Sequence, residues 1–153
     1  LMDRAKAWLM PTDAIWRDQT KTWQFPSGAT LTFGYLDQTG AEYRYQGAEF
    51  QYVGFDELTQ FDEYQYRYLF SRIRRLASAD VPLRMRAASN PGGIGHEWVR
   101  ERFIDANAIE DGRIFISARL TDNPFLEYDS YVSSLDQLDP ITRLSLITIS
   151  EHT

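Results

Sequence analysis

Residues 50–55, Phe-Gln-Tyr-Val-Gly-Phe, are short, mostly apolar and β-prone, and they stop abruptly at two adjacent carboxylates, Asp56 and Glu57. Such a run predicts a strand buried on both faces in a parallel sheet, and hence an α/β fold. A strand of that kind delivers its acids into the crevice where open α/β sheets bind ligands. The pair can divide the labour of nucleotide hydrolysis, Asp56 on a magnesium shell and Glu57 polarising the attacking water. The plainer alternative is an acidic helix start, because carboxylates also suit an N-cap and its dipole.

The flanking sequence supplies a setting. Trp8, Leu9, Ile15 and Trp16 lie among charges with Pro11 between them, which predicts a short helix and a connector over residues 1–20. Trp23-Gln24-Phe25 and Thr30-Leu31-Thr32-Phe33 flank Pro26-Ser27-Gly28-Ala29 and read as a hairpin with a four-residue turn. Residues 34–47 are a polar connector with room for a short strand at Tyr43-Arg44-Tyr45-Gln46-Gly47. Beyond it, Phe61, Tyr64, Tyr68, Leu69, Ile73 and Leu76 share one face at about 100° per residue, with Arg67 and Arg74 opposite. Arg72 falls inside the apolar arc, where a charged residue snorkels, pairs with an acid or reaches a ligand.

Leu83-Arg84-Met85-Arg86-Ala87-Ala88 reads as a second strand running into Ser89-Asn90-Pro91-Gly92-Gly93. Ser and Asn at a strand's end can hydrogen-bond a phosphate or a water, and glycine permits close backbone approach. The same residues are also an ordinary turn signal. Residues 95–104 predict a helix with Val99 and Phe103 inward, and His96, without a histidine four residues on, points to capping or packing rather than zinc. Residues 113–119 read as a third strand, Thr121-Asp122-Asn123-Pro124 as a turn, and residues 128–138 as an amphipathic helix through Tyr131, Val132, Leu135 and Leu138. Strands alternating with helices imply βαβ units and a mainly parallel sheet.

Composition removes several classes. A chain of 153 residues fits one domain, and its nine Tyr, nine Phe and four Trp are enough to build a core. The absence of cysteine excludes disulfides, thiolate metal sites and a Cys nucleophile. No apolar run approaches the roughly 20 residues that span a bilayer, and no signal-peptide pattern is visible. With 16 basic against 22 acidic residues the net charge is −6, a poor balance for wrapping DNA unaided. The chain opens at Leu1 without a capped helix or turn, as expected of a piece of something longer.

Six motifs stand in order: Phe25-Pro26-Ser27-Gly28-Ala29, Tyr45-Gln46-Gly47-Ala48-Glu49-Phe50, Gly54-Phe55-Asp56-Glu57, Ser71-Arg72-Ile73-Arg74, then Ser89-Asn90-Pro91-Gly92-Gly93-Ile94-Gly95-His96-Glu97-Trp98-Val99, and Asp122-Asn123-Pro124-Phe125-Leu126. Over roughly residues 23–143 this set resembles the large terminase subunit of tailed bacteriophages, the motor that packages DNA into an empty capsid. The resemblance implies a P-loop NTPase-like three-layer α/β fold with a mainly parallel sheet. It implies that the chain is the C-terminal part of the ATPase domain, with a lead-in at 1–22, a Walker B and coupling-motif region at 23–143 and a tail at 144–153. Asp56 and Glu57 match the family's Walker B site, so Asp56 would hold Mg2+ through water and Glu57 would be the catalytic base acting on ATP. Ala88, Ser89 and Asn90 match the coupling motif, which senses the γ-phosphate. Double-stranded DNA, the portal protein and the small terminase subunit are the implied partners. The implied working form is a homo-oligomeric ring in the bacterial host cytoplasm, without a membrane and outside the finished virion.

Three departures qualify the resemblance. No Gly-x-x-x-x-Gly-Lys-Ser/Thr is present, since Lys6 follows Ala5 and Lys21 follows Thr20. In the family that loop lies upstream, so the chain is expected to start inside the ATPase domain and to bind a triphosphate very weakly alone. Some relatives carry arginine immediately before the glycine matching Gly47. Gln46 stands there instead, which leaves Arg44 and Arg72 as candidate arginine contacts. Nothing supplies the family's acidic nuclease cluster, so no nuclease domain is expected. Two other readings compete: a truncated, catalytically silent α/β domain acting as a protein-interaction module through exposed tyrosines, and a two-metal nuclease using Asp56, Glu57, Asp62 and Glu63. The last is weaker because Asp62 and Glu63 begin a helix and suit its dipole. The ATPase reading requires Glu57 and Ser89 at the same end of the sheet.

Overall fold

In the computed structural model, residues 1–75, 80–105 and 112–118 are described, with single positions 122, 124, 125, 127 and 133 beyond them. The chain divides into two compact units, Leu1–Ala41 and Glu42–Thr153.

In the first unit, helix α1 covers Met2–Leu9 and Pro11 lies in the turn that follows, beyond the last helical residue as its missing N–H requires. Strands β1 (Ile15–Arg17), β2 (Thr22–Gln24) and β3 (Thr30–Thr32) form an antiparallel sheet in that order. The β2–β3 hairpin is the expected one. Phe25 N donates to Ala29 O at 2.9 Å and Gly28 N to Phe25 O at 2.9 Å, with Gly28 at φ +86° where only glycine is unstrained. Strand β1 is an addition, three residues too short to carry a legible period. It is held by Trp16 facing Trp23, rings 5.2 Å apart, and by the Phe33 ring 6.2 Å from Trp16. Trp23 is completely buried. Asp18, between β1 and β2, accepts from Lys21 Nζ at 3.1 Å and from Trp16 Nε1 at 3.2 Å. Those two bonds, the lysine's first, hold its carboxyl below the usual aspartate value.

A 3-10 turn at Ala41–Tyr45 leads from the last residue of the first unit into the second, where the sequence suggests a short strand over 43–47. Strands β4 (Tyr52–Asp56) and β5 (Arg84–Ala88) pair in parallel, from Tyr52 opposite Arg84 to Asp56 opposite Ala88. Between them lie a second 3-10 turn, Leu58–Gln60, and helix α2, Glu63–Phe70. This is the predicted βαβ unit. Strand β4 is not buried on both faces, however. Its burial alternates, with Val53 and Phe55 covered and Tyr52, Gly54 and Asp56 exposed, the pattern of a strand packed on one side.

Helix α2 starts at a capping box: Asp62 Oδ1 accepts from Gln65 N at 2.8 Å and Gln65 Oε1 from Asp62 N at 3.4 Å. It ends earlier than periodicity predicts, because the chain turns at Ser71 to set Ile73 beside Phe50 in a parallel bridge. The buried face is Gln65, Tyr66 and Leu69, whereas Tyr64 is exposed and Tyr68 half-buried. Helix α3, His96–Phe103, packs Trp98 and Phe103 on Tyr66 at ring separations of 5.3 and 6.0 Å. Phe55 lies 5.7 Å from the same tyrosine and 5.2 Å from Phe61, so Tyr66 joins β4, α2 and α3 in one aromatic core.

The expected third strand is absent: residues 113–118 have no regular secondary structure, and Ile114 and Ile116 stand exposed. A β-prone run becomes a strand only when an edge pairs its backbone, and neither β4 nor β5 does so here. Among the described residues the protein is therefore α/β with a three-stranded antiparallel and a two-stranded parallel sheet, rather than one mainly parallel sheet. The expected helix over 128–138, apart from residue 133, and residues 121 and 123 of the expected turn lie outside the described residues.

Candidate functional site

Parallel pairing brings the C-terminal ends of β4 and β5 flush, so the residues leaving both strands meet at one edge. Asp56 ends β4 and is exposed. Glu57 follows in the left-handed region, φ 53° and ψ 55°. A non-glycine residue held there costs about 1–2 kcal/mol, a strain concentrated at functional turns. The turn is pinned from below by Leu58 and Thr59, 2% and 3% exposed.

From the other strand, Asn90 N donates to Glu57 Oε2 at 3.5 Å. Ser89 Oγ accepts from Thr59 N at 3.0 Å and lies 2.9 Å from Thr59 Oγ1. Thr59 Oγ1 also donates to Asn90 O at 2.9 Å. The glycine loop closes on the same turn: Gly95 N donates to Thr59 O at 2.8 Å and Trp98 Nε1 to Phe61 O at 3.0 Å. A Cβ on Gly93 would strike the Thr59 carbonyl and one on Gly95 the Phe61 carbonyl, so glycine here serves close approach. His96 Nδ1 accepts from Gly92 N at 3.1 Å, which fastens the glycine loop to the start of α3; no side chain caps that helix, so the histidine packs rather than caps.

Asp56, Glu57, Ala88, Ser89 and Asn90 are thus brought together. The two arginines are placed differently. Arg44 is exposed on the first 3-10 turn. Arg72 lies past the end of α2, its guanidinium 5.0 Å over the Tyr68 ring and its Nε donating to Ser71 Oγ at 3.1 Å. Its carbonyl accepts from Phe50 N, at the opposite end of the β4 segment from Asp56. At about 3.3 Å per residue that is roughly 20 Å from the acid tip along the backbone. Of the nuclease set, Asp62 is the α2 cap, and Glu63 pairs with Arg67 at 3.8 Å and Arg102 at 3.7 Å.

Thr59 is the member that sequence reasoning missed. A threonine three residues beyond an acid tip carries no pattern of its own; only the burial of the turn reveals it. Among the described residues no three His, Asp or Glu side chains gather to cage a metal. One exposed strand-tip carboxylate nevertheless fits Mg2+, which keeps several waters and needs only one or two carboxylates beside phosphate oxygens.

A family model described as "Terminase large subunit, T4likevirus-type, N-terminal" matches residues 10–106, a span containing every residue of this edge. The chain belongs to that family. Membership of the terminase large subunit family ties it to phage DNA packaging, with DNA and the packaging machinery as general partners, and implies an ATPase in the intact protein. The match also assigns the chain to the N-terminal region of the terminase subunit, where the sequence reading expects a C-terminal part of the ATPase domain. No curated protein and no solved structure gives a match.

Proposed function

We propose that this chain forms part of the ATPase motor of a phage terminase, in a P-loop NTPase-like three-layer fold, coupling ATP hydrolysis to packaging of double-stranded DNA. Glu57 is the base that orients and deprotonates the attacking water. Asp56 holds Mg2+ through water, and that ion, when bound, supplies charge neutralisation on the phosphates. Ser89 and Asn90, following Ala88, meet the terminal phosphate. The portal protein, the small terminase subunit and further copies of the large subunit in a ring complete the motor in the host cytoplasm. No trans-acting arginine is assigned.

One observation carries the reading: Glu57 and Ser89-Asn90 leave parallel neighbouring strands at the same edge, with Asn90 N 3.5 Å from Glu57 Oε2. A hydrolase needs its base and its phosphate contact within one ligand's reach, and this register supplies that. The test is DNA-stimulated ATP hydrolysis by the intact subunit and by its Glu57→Ala variant. Turnover should fall by about 100-fold or more in the variant; equal turnover would overturn the assignment.

A second reading, a catalytically silent interaction module, draws on the exposed Tyr43, Tyr52 and Tyr64. It requires Glu57→Gln to leave packaging in the intact protein untouched.

A further inference from the structure

The proposed chemistry leaves Thr59 unused, although its hydroxyl makes two of this edge's hydrogen bonds and its amide a third. Three oxygens form a triangle: Thr59 Oγ1 to Ser89 Oγ at 2.9 Å, Thr59 Oγ1 to Asn90 O at 2.9 Å, and Ser89 Oγ to Asn90 O at 3.1 Å. The two hydroxyls bring one proton each. In one arrangement Thr59 donates to Asn90 O and Ser89 donates to Thr59 Oγ1. In the other Ser89 donates to Asn90 O and Thr59 donates to Ser89 Oγ. In both, the Thr59 amide holds Ser89 Oγ at 3.0 Å.

A third state follows from the same geometry. If the Ser89 proton turns outward, Ser89 Oγ keeps the Thr59 amide, and the Thr59 hydroxyl still serves Asn90 O. Each of the three oxygens keeps a hydrogen bond, Thr59 Oγ1 as donor to Asn90 O, so redirecting that proton costs little. The two residues differ in access: Thr59 is 3% exposed, and Ser89 is exposed. One faces the interior and the other the ligand edge.

We propose that Thr59 is a positioning residue, whose amide holds Ser89 Oγ from behind and whose hydroxyl satisfies the neighbouring Asn90 carbonyl, so that the Ser89 hydroxyl can donate to a phosphoryl oxygen of the nucleotide. The identity of that anion rests on the ATPase reading; the grip itself does not. Because Thr59 belongs to the turn that begins at Glu57, the serine and the acid then share one support. A buried threonine that merely filled space would be replaced without loss by valine, its near-isostere without the hydroxyl.

The test has two arms. In the 153-residue chain, amide hydrogen exchange reads the grip directly, without nucleotide. Ser89→Ala should speed exchange at Thr59 N–H by about tenfold or more while leaving the β4–β5 amides protected. Unchanged exchange at Thr59 would overturn the proposal whatever the protein's activity. In the intact subunit, Thr59→Val should lower kcat for ATP about tenfold or more with KM within about twofold, and Thr59→Ser should restore kcat to within about threefold. The double variant Thr59→Val with Ser89→Ala should be no worse than the poorer single variant, because both remove the same unit. Wild-type kcat in Thr59→Val, failure of Thr59→Ser to rescue, or fully additive losses would each overturn it. Glu57→Ala runs alongside: if it hydrolyses ATP normally, the ATPase reading fails, and the exchange arm alone decides the grip.

Discussion

At the scale of single residues, Glu57 combines a useful carboxylate with an unfavourable backbone. Its φ of 53° is a conformation that glycine would adopt without strain. Glu57→Gly should therefore be more stable than Glu57→Ala by about 1 kcal/mol, measured by urea unfolding of the chain, although both lose the carboxylate. Equal midpoints would mean that the turn relaxes out of the left-handed region. Tyr64 offers a second test. Its hydroxyl lies 3.1 Å from that of Tyr43, and this bond is the first cause pushing its pKa up from 10.0 to about 12. A raised value means that the bond's contribution to stability is complete below pH 10 and is lost as pH rises through 12. In an alkaline titration of phenolate absorbance, Tyr64→Phe should remove a component titrating at about 12 and Tyr43→Phe should bring that component down toward the ordinary tyrosine value.

At the scale of elements, the stability of the edge rests on contacts between turns rather than on long helices. Gly95→Ala would drive a methyl group into the Phe61 carbonyl and the Trp98 indole, and should cost about 1–3 kcal/mol in unfolding free energy. Asp62→Ala removes one half of the α2 capping box and should cost about 1 kcal/mol, with Asp62→Asn recovering much of it. Strands β4 and β5 and the meeting of Glu57 with Ser89 were legible because a short apolar run ending in polar groups is a local pattern, and one crossover helix makes the pair parallel. Strand β1 was not, since its partner Trp23 supplies the reason for its existence from another strand. Periodicity turns the α2 face toward Tyr64 and Tyr68 rather than Gln65 and Tyr66, because the apolar period runs from Phe61, outside the helix, through Ile73, a strand partner. Residues 113–118 carry a strand's composition without a strand's partner. Thr59 was invisible for a related reason, as its role is defined by two residues of the next strand.

For the molecule as a whole, charge sets a limit that the fold does not lift. A net charge of −6 leaves no general attraction for a polyanion, so binding of the chain alone to double-stranded DNA at about 0.1 M salt should be weaker than about 10⁻⁴ M by fluorescence anisotropy. Tighter binding with a steep salt slope would point to a local basic track that the net charge conceals. The way α3 is fastened has a mechanical consequence. Its first turn is tied to the acid-bearing turn at two points, Gly95 N on Thr59 O and Trp98 Nε1 on Phe61 O. The eight residues of the helix extend from that fixed end, a length of about 12 Å. A tilt of about 10° about the anchored end would swing the far end by roughly 2 Å while Gly95 barely moved, on that same rise per residue. That far end is held to α2 by Phe103 on Tyr66 and Arg102 on Glu63, so the edge that holds Glu57 is in that sense a fulcrum on which α3 and α2 move together.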